Sequence, residues 1–315
     1  MAVNTNKQGT FRYAGIPIPA STEAFNDAWF VDSATGSDSN SGKKPTSPLA
    51  TIQQGVDLAS SYDTIYVAGT ENDALTQVDD YDEEVIIPVT KPGIKLIGCG
   101  GGPEGVLWGP SAENKTLLTI NSNNCQVRNM RLRPYGATGH AIDLLRTTAA
   151  HQTGTIIDNC TFRSQTTTAY GIYATGAPND VKVTNCIFDS LLAAIYITGI
   201  GIAVPYRWVV KDCQVNGSCT TGIVGDFGRS LFENVYIADL AGGMMLATET
   251  DGGAAARDNL VVHCVFGDAN SEIEEVNASS TDCWSGSFFG APLDSPANTA
   301  TTGLFILAPD GAVGT

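Results

Sequence analysis

Charge is scarce in this chain, and positive charge scarcer than negative: 16% of residues are charged, with 17 Lys and Arg against 33 Asp and Glu, a net charge of −16 at pH 7. A field of that sign repels phosphate backbones and anionic lipid, which argues against nucleic acid or a membrane surface as a partner. The sequence has no apolar run of the ~18 residues that a bilayer-spanning helix needs. The opening residues, "MAVNTNKQGTFRYAGIPIPASTEAF", lack the apolar stretch of a secretory signal, so synthesis in the cytoplasm without classical export is expected. Eight cysteines include no C-x-x-C pair, and His140, His151 and His263 share no spacing, which argues for buried thiols over a zinc site or a disulfide scaffold.

What the chain does have is 34 glycines and abundant Ser, Thr and Asn within 315 residues, a profile that suits an all-β protein with many turns. Its central feature is a repeat. The stretch "VKVTNCIFDS", Val181 to Ser190, recurs around a turn position held by Gly98, Asn129, Asn159, Asn185, Asp212, Asn234 and His263, at intervals of 22 to 31 residues. Two residues before that position stand Leu96, Val127, Ile157, Val183, Val210, Phe232 and Val261. One residue after it stand Cys99, Met130, Cys160, Cys186, Cys213, Val235 and Cys264, and two further on Gly101, Leu132, Phe162, Phe188, Val215, Ile237 and Phe266. Period-2 alternation on both sides, with its phase reset at the turn, predicts two strands meeting at a corner with both apolar sets facing inward. The corner demands a left-handed backbone, which Gly, Asn and Asp tolerate best.

A second series pairs a small residue with an apolar one: Ala141-Ile142, Gly171-Ile172, Ala194-Ile195, Gly222-Ile223, Gly243-Met244 and Gly303-Leu304. Each repeat therefore carries about three short strands, too few to bury their own face, so successive repeats must stack. Three strands per turn with shared inward columns predict an all-β fold, a right-handed single-stranded parallel β-helix of about nine coils. The recurring V-x-N-C-x-F pattern, with the entry segment Trp29 to Gly69, resembles the pectate-lyase-like β-helix superfamily over roughly residues 28–308. At ~4.8 Å per coil the rod would be on the order of 45 Å long.

A solenoid needs its open end covered. Ser47 as N-cap, Pro48 at the first helical position, and Leu49, Ile52, Val56 and Ala59 on one face predict a short capping helix over about 48–60. The expected division is an extended N-terminal arm over 1–27, the β-helix over 28–308 and a C-terminal tail over 309–315.

Candidate chemistry is sparse. The corner residues Asn129, Asn159, Asn185, Asp212 and Asn234, with Cys160, Cys186, Cys213 and Cys264 behind them, read as a structural ladder. Asp79, Asp80 and Asp82 in the loop "VDDYDEE" are candidate calcium ligands, as are Asp32 and Asp38, against the alternative of solvated acidic loops. The resemblance implies that a polysaccharide lyase of this fold needs bound calcium and an Arg or Lys base. "RLRP" (Arg131 to Pro134) is similar to part of an arginine-proline motif of pectate lyases, but the arginine that should follow is absent. Trp-Ile-Asp-His, Asn-Thr-Asp, Ser-His-Gly and Arg-Ile-Lys signatures are missing as well. A hydrolase needs paired carboxylates, for which Asp226 and Asp251 are a chance candidate.

No catalytic residues are assigned. The expectation is a non-enzymatic structural or adhesive protein on the surface of a virus particle, resembling the decoration, fibre and tailspike proteins of tailed phages. It would form a homotrimer, dock on other virion proteins through its arm, and present a face to host glycans. A lyase or glycoside hydrolase on the same scaffold is the alternative.

Overall fold

The computed structural model describes residues 11–13, 16–18, 27–69, 80–100, 106–110, 112–145, 153–164, 166–176, 178–198, 204–216, 218–238, 240–241, 244–247, 258–267, 275–277, 282–289 and 305–306. Strands of two to six residues are distributed over three parallel sheets, and from Lys95–Cys99 through Phe288–Phe289 the described strands take the three sheets in turn. We call sheet 1 the eleven-stranded sheet containing Gln126–Arg128. Sheet 2, containing Met130–Leu132, and sheet 3, containing His140–Leu145, have eight strands each. Within the segment expected to be an extended arm, Phe11–Tyr13 and Ile16–Ile18 pair as an antiparallel ribbon.

The inward columns hold their register from coil to coil. Leu96, Val127, Ile157, Val183, Val210, Phe232 and Val261 stack in sheet 1. Trp108, Leu132, Phe162, Phe188, Val215, Ile237 and Phe266 stack in sheet 2, with the Phe162 and Phe188 rings parallel at 4.7 Å. Leu118, Ile142, Ile172, Ile195, Ile223 and Leu246 stack in sheet 3. All are buried, and together they form one continuous core.

Between sheets 1 and 2 the chain turns through one residue per coil. Asn129, Asn159, Asn185, Asp212, Asn234 and His263 have φ between 52° and 58°. Each donates its N–H to a carbonyl of the next coil, from Asn129 to Asp158 O at 3.2 Å through His263 to Ser285 O at 3.0 Å. Side chains add a second ladder: Asn159 Nδ2 donates to Asn129 Oδ1 at 2.9 Å, Asn185 Nδ2 to Asp158 Oδ1 at 2.9 Å, and Asn234 Nδ2 to Asp212 Oδ1 at 2.7 Å. Asn and Asp suit this site twice over, by tolerating the left-handed backbone and by bonding locally.

Several expectations need correction. Gly98 is not a corner: it lies inside the strand Lys95–Cys99, where a Cβ would sit 2.0 Å from Asn129 O, so its role is close approach by the following coil. The places given to Cys99 and Gly101 are filled by Val106 and Trp108, which pair with Met130 and Leu132. In sheet 3 the partner of Ile223 is Leu246, not Met244, and the register shifts between those two positions where the strand pairs with Glu275–Asn277. Gly303 and Leu304 lie outside the described residues; Phe305–Ile306 joins sheet 1, not sheet 3.

The capping helix spans Ile52–Leu58, with Thr51 as N-cap in place of Ser47. Backbone pairing explains the shift: Leu49 N–H donates to Phe30 O, and Asp32 N–H to Leu49 O, both at 2.8 Å, which holds Leu49 extended. The helix sets Ile52 and Val56 against the first strands of the coil, so it covers the N-terminal end. Buried Asp63 ties this end together, accepting from Asp27 N–H at 3.0 Å, Trp29 Nε1 at 2.9 Å and Ser60 N–H at 2.8 Å.

The corner geometry makes a direct prediction. Asn185→Ala should destabilise the protein by about 1–2 kcal/mol, since Ala pays for φ > 0 and loses the bond to Asp158. Asn185→Gly should be milder, because it keeps the backbone freedom. Urea unfolding midpoints of the two variants check the order.

Candidate functional site

A feature of sheet 3 creates the site. In a regular strand, residues i and i+3 face opposite sides. The strands His140–Leu145 and Tyr170–Thr175 instead bury two consecutive residues, the small one and its apolar partner, and leave both i and i+3 on the outer face. The small residue is required at the bend: a Cβ on Gly171 would lie 2.5 Å from Ala194 O and 3.0 Å from Phe188 Cδ1. Outward positions separated by the bend are thereby drawn together.

Those positions carry rings. His140 pairs with Tyr170 across the sheet, and Asp143 with Tyr173, which pairs in turn with Tyr196. His140 meets Tyr173 edge-on with ring centroids 4.0 Å apart and lies over Tyr170 at 5.3 Å. Tyr170 reaches Tyr173 at 5.2 Å and Tyr196 at 5.3 Å, and Tyr173 stacks on Tyr196 at 5.9 Å. The result is a half-buried cluster of four rings on the outside of three adjacent coils, with the spacings of 5.2–5.9 Å typical of aromatic pairs and the His140–Tyr173 contact closer.

Polar atoms beside the rings lack partners. His140 Nδ1, Asp143 Oδ1, Thr175 Oγ1 and Asn121 Oδ1 are buried and form no hydrogen bond. Burial holds the His140 imidazole neutral, pulling its pKa down to about 4, and pushes the Asp143 carboxyl up to about 6. Burial also raises Tyr170, helped by the neighbouring Tyr196 and Tyr173.

The residues singled out from sequence lie elsewhere. Asp79 lies outside the described residues, Asp80 Oδ2 accepts from Leu107 N–H at 2.9 Å, and Asp82 is exposed in the same loop. Neighbouring Glu83 accepts from Ile52 and Gln53 N–H at the helix start, and burial raises its pKa. Asp38 accepts from Ala50 and Thr51 N–H at 2.9 and 3.0 Å, which braces the helix start, and Asp32 accepts from Ala34 N–H at 2.9 Å within its own turn. Among the described residues, no three His, Cys, Asp or Glu side chains gather as metal ligands. Asp226 follows the sheet 3 strand Thr221–Val224, and Asp251 is outside the described residues. Arg131 is buried on sheet 2, in register with Leu107 and Thr161.

The cysteines are all free. Cys160, Cys186, Cys213 and Cys264 donate weakly to carbonyls of the preceding coil, Val127, Ile157, Val183 and Phe232, at 3.5–3.8 Å. Burial raises the Cys186 thiol and pushes Cys264 up to about 11, which suppresses the reactive thiolate at neutral pH.

Sequence reasoning passed over Asp143, Tyr170, Tyr173, Tyr196, Asn121 and Thr175. The signal was present in "HAIDLL", "YGIYAT" and "AAIYIT": His140 and Tyr170 precede the small-apolar pair in the first two, and Asp143, Tyr173 and Tyr196 follow it in all three.

The two perturbed groups oppose each other in pH. Asp143 titrates higher folded than unfolded, so its contribution to stability falls as pH rises from about 4 to about 6. His140 titrates lower folded than unfolded, so its contribution grows as pH rises from about 4 to its ordinary 6.5. Asp143→Asn should therefore gain stability relative to wild type, on the order of 2 kcal/mol, between pH 4 and pH 6. His140→Gln should show the reverse trend. Denaturant midpoints across that range check both signs.

Comparison with known proteins addresses the scaffold. Residues 141–284 match the family model described as a right-handed β-helix region. Among solved structures, a pectin methylesterase from Aspergillus niger is similar at 14% identity and TM-score 0.50, covering 91% of this chain and 93% of that one. A rice weevil pectin methyl esterase is similar at 11% identity and TM-score 0.46, over 81% of this chain and 88% of that one. A GH136 lacto-N-biosidase from Eubacterium ramulus is similar at 12% identity and TM-score 0.49, over 83% of this chain and 55% of that one. No curated protein matches the chain in sequence. Likeness at this level speaks to the scaffold alone. The chain is a right-handed parallel β-helix.

Proposed function

We propose that this protein is a non-enzymatic glycan-binding rod whose contact surface is the outer face of sheet 3. The observation that carries the reading is the cluster of His140, Tyr170, Tyr173 and Tyr196, four rings held half-exposed on adjacent coils. Apolar rings need a reason to stay at a surface. A sugar ring supplies one: its C–H groups carry partial positive charge and settle on the negative ring face, while its hydroxyls reach the polar atoms alongside.

Glycosidic cleavage is the second reading, and Asp143, with its raised pKa, is the residue that favours it. A general acid needs a second carboxylate at defined separation. The strands on either side of Asp143 present Thr119 and Tyr173 at the paired outward positions. That arrangement supports holding a glycan over cutting it.

We place such a rod on the outside of a virus particle, with tailed-phage decoration, fibre or spike proteins as the setting and a homotrimer as the assembly. The reading is supported by the net charge of −16, which disfavours nucleic acid, and by a stack of coils whose thiols are all unpaired and mostly buried. The arm over 1–27 would dock on neighbouring virion proteins. Mass spectrometry of purified particles tests the location: the chain should be present in multiples of three, and its absence overturns the placement.

Glycan binding has its own test. Wild-type protein on a glycan array should retain at least one class of oligosaccharide. Replacing both Tyr170 and Tyr196 with Ala should weaken that binding by about 30-fold, since two stacking rings contribute on the order of 2 kcal/mol. Equal retention by the folded double variant would remove the reading. Release of reducing ends from the retained glycan would favour cleavage instead.

A further inference from the structure

The unpaired polar atoms are distributed unevenly. A buried donor or acceptor left without a partner costs about 1–3 kcal/mol, and a native fold keeps few of them. Four of those among the described residues belong to one face: Asn121 Oδ1, His140 Nδ1, Asp143 Oδ1 and Thr175 Oγ1. His140 and Asp143 sit on the strand that pairs with Tyr170–Thr175, which brings Thr175. Asn121 directly follows Leu118–Ile120 on the other side of that strand, and alternation puts it on the outer face beyond Thr119. Three successive coils, ~4.8 Å apart, therefore carry the four atoms along the flank of the ring cluster.

Their chemistry restricts the ligand. Asn121 Oδ1 and an ionised Asp143 are acceptors, the Thr175 hydroxyl acts either way, and neutral His140 offers one donor and one acceptor. A partner must therefore bring several donors, placed on more than one coil. It must also tolerate a half-buried carboxylate in a chain of net charge −16, which disfavours carboxylated, sulfated or phosphorylated ligands.

Resting on the glycan-binding reading above, we infer that Asn121, His140, Asp143 and Thr175 form the hydrogen-bonding subsite for vicinal hydroxyls of a neutral oligosaccharide, and that the site rejects acidic sugars. The rings supply contact area and the four polar side chains supply selection, because a site built to bond hydroxyls discriminates strongly against a ligand that leaves its buried groups unpaired. The carboxylate does double duty, accepting from a sugar hydroxyl and repelling a uronate.

Calorimetric titration of the full chain with maltotetraose, cellotetraose, chitotetraose, mannotetraose and tetragalacturonate tests this. Wild type should bind at least one of the four neutral probes and bind tetragalacturonate at least tenfold more weakly. Thr175→Val and Asn121→Ala should each weaken the neutral probe about tenfold, with thermal midpoints no lower than that of wild type. Asp143→Asn should weaken the neutral probe and narrow the gap to tetragalacturonate. Equal or tighter binding of tetragalacturonate by wild type overturns the inference. So does wild-type affinity in all three folded variants while loss of Tyr170 and Tyr196 abolishes binding, and in that case the glycan-binding reading survives. Failure of every probe to bind, or binding indifferent to both tyrosines, overturns both.

Discussion

From Asn129 onward, the described coils of this protein leave sheet 1 and enter sheet 2 through a single residue with a left-handed backbone. Six of those corners, from Asn129 to His263, share φ values within a few degrees of one another. The constraint is severe because a right-handed residue there would send the chain out of register, and a one-residue slip would turn an inward column outward. Once the corner is set, its N–H meets a carbonyl of the next coil, and the flanking columns fall into alignment. Core continuity, the buried thiols and the stacked phenylalanines are consequences of that repetition, since neighbouring coils can bury only what arrives in the same position.

Sheet 3 obeys a different rule. Two of its strands, His140–Leu145 and Tyr170–Thr175, bend at a small residue, so two neighbours face the core and two residues three apart face outward. The bend serves packing, as the close approach of Ala194 O to Gly171 shows. It also gathers outward side chains into a patch that a flat strand would have dispersed. Structure and recognition share one device: the position that must be small for the core is flanked by the positions that carry His140, Asp143, Tyr170 and Tyr173.

How legible this was in the sequence follows from what constrains each position. The corners could be read because so few residue types accept φ > 0, and the inward columns because burial excludes polar side chains. Gly98 misled because glycine also answers a different need, room for Asn129 O, and the turn residue alone does not separate the two. Ser47 carries a cap's chemistry, yet pairing of Leu49 with the first strand moved the helix start to Thr51. Leu246 took the place expected of Met244, and the irregular register around these residues leaves no local mark in the sequence. The ring cluster went unread since outward positions answer to no core, and the small-apolar pair was taken as a statement about the interior alone. That Ala141 and Ile142 both point inward, which is what aligns His140 with Asp143, is a property of the folded strand.

The central claim is that the bend in sheet 3 builds a ligand-binding face. A crystal structure of the protein soaked with a neutral tetrasaccharide tests it most directly. The account predicts a sugar ring lying against Tyr170 and Tyr196, with a hydroxyl within hydrogen-bonding distance of Asp143 Oδ1. Sugar density on sheet 1 or sheet 2, with the sheet 3 rings bare and Asp143 Oδ1 still unpaired, would contradict it.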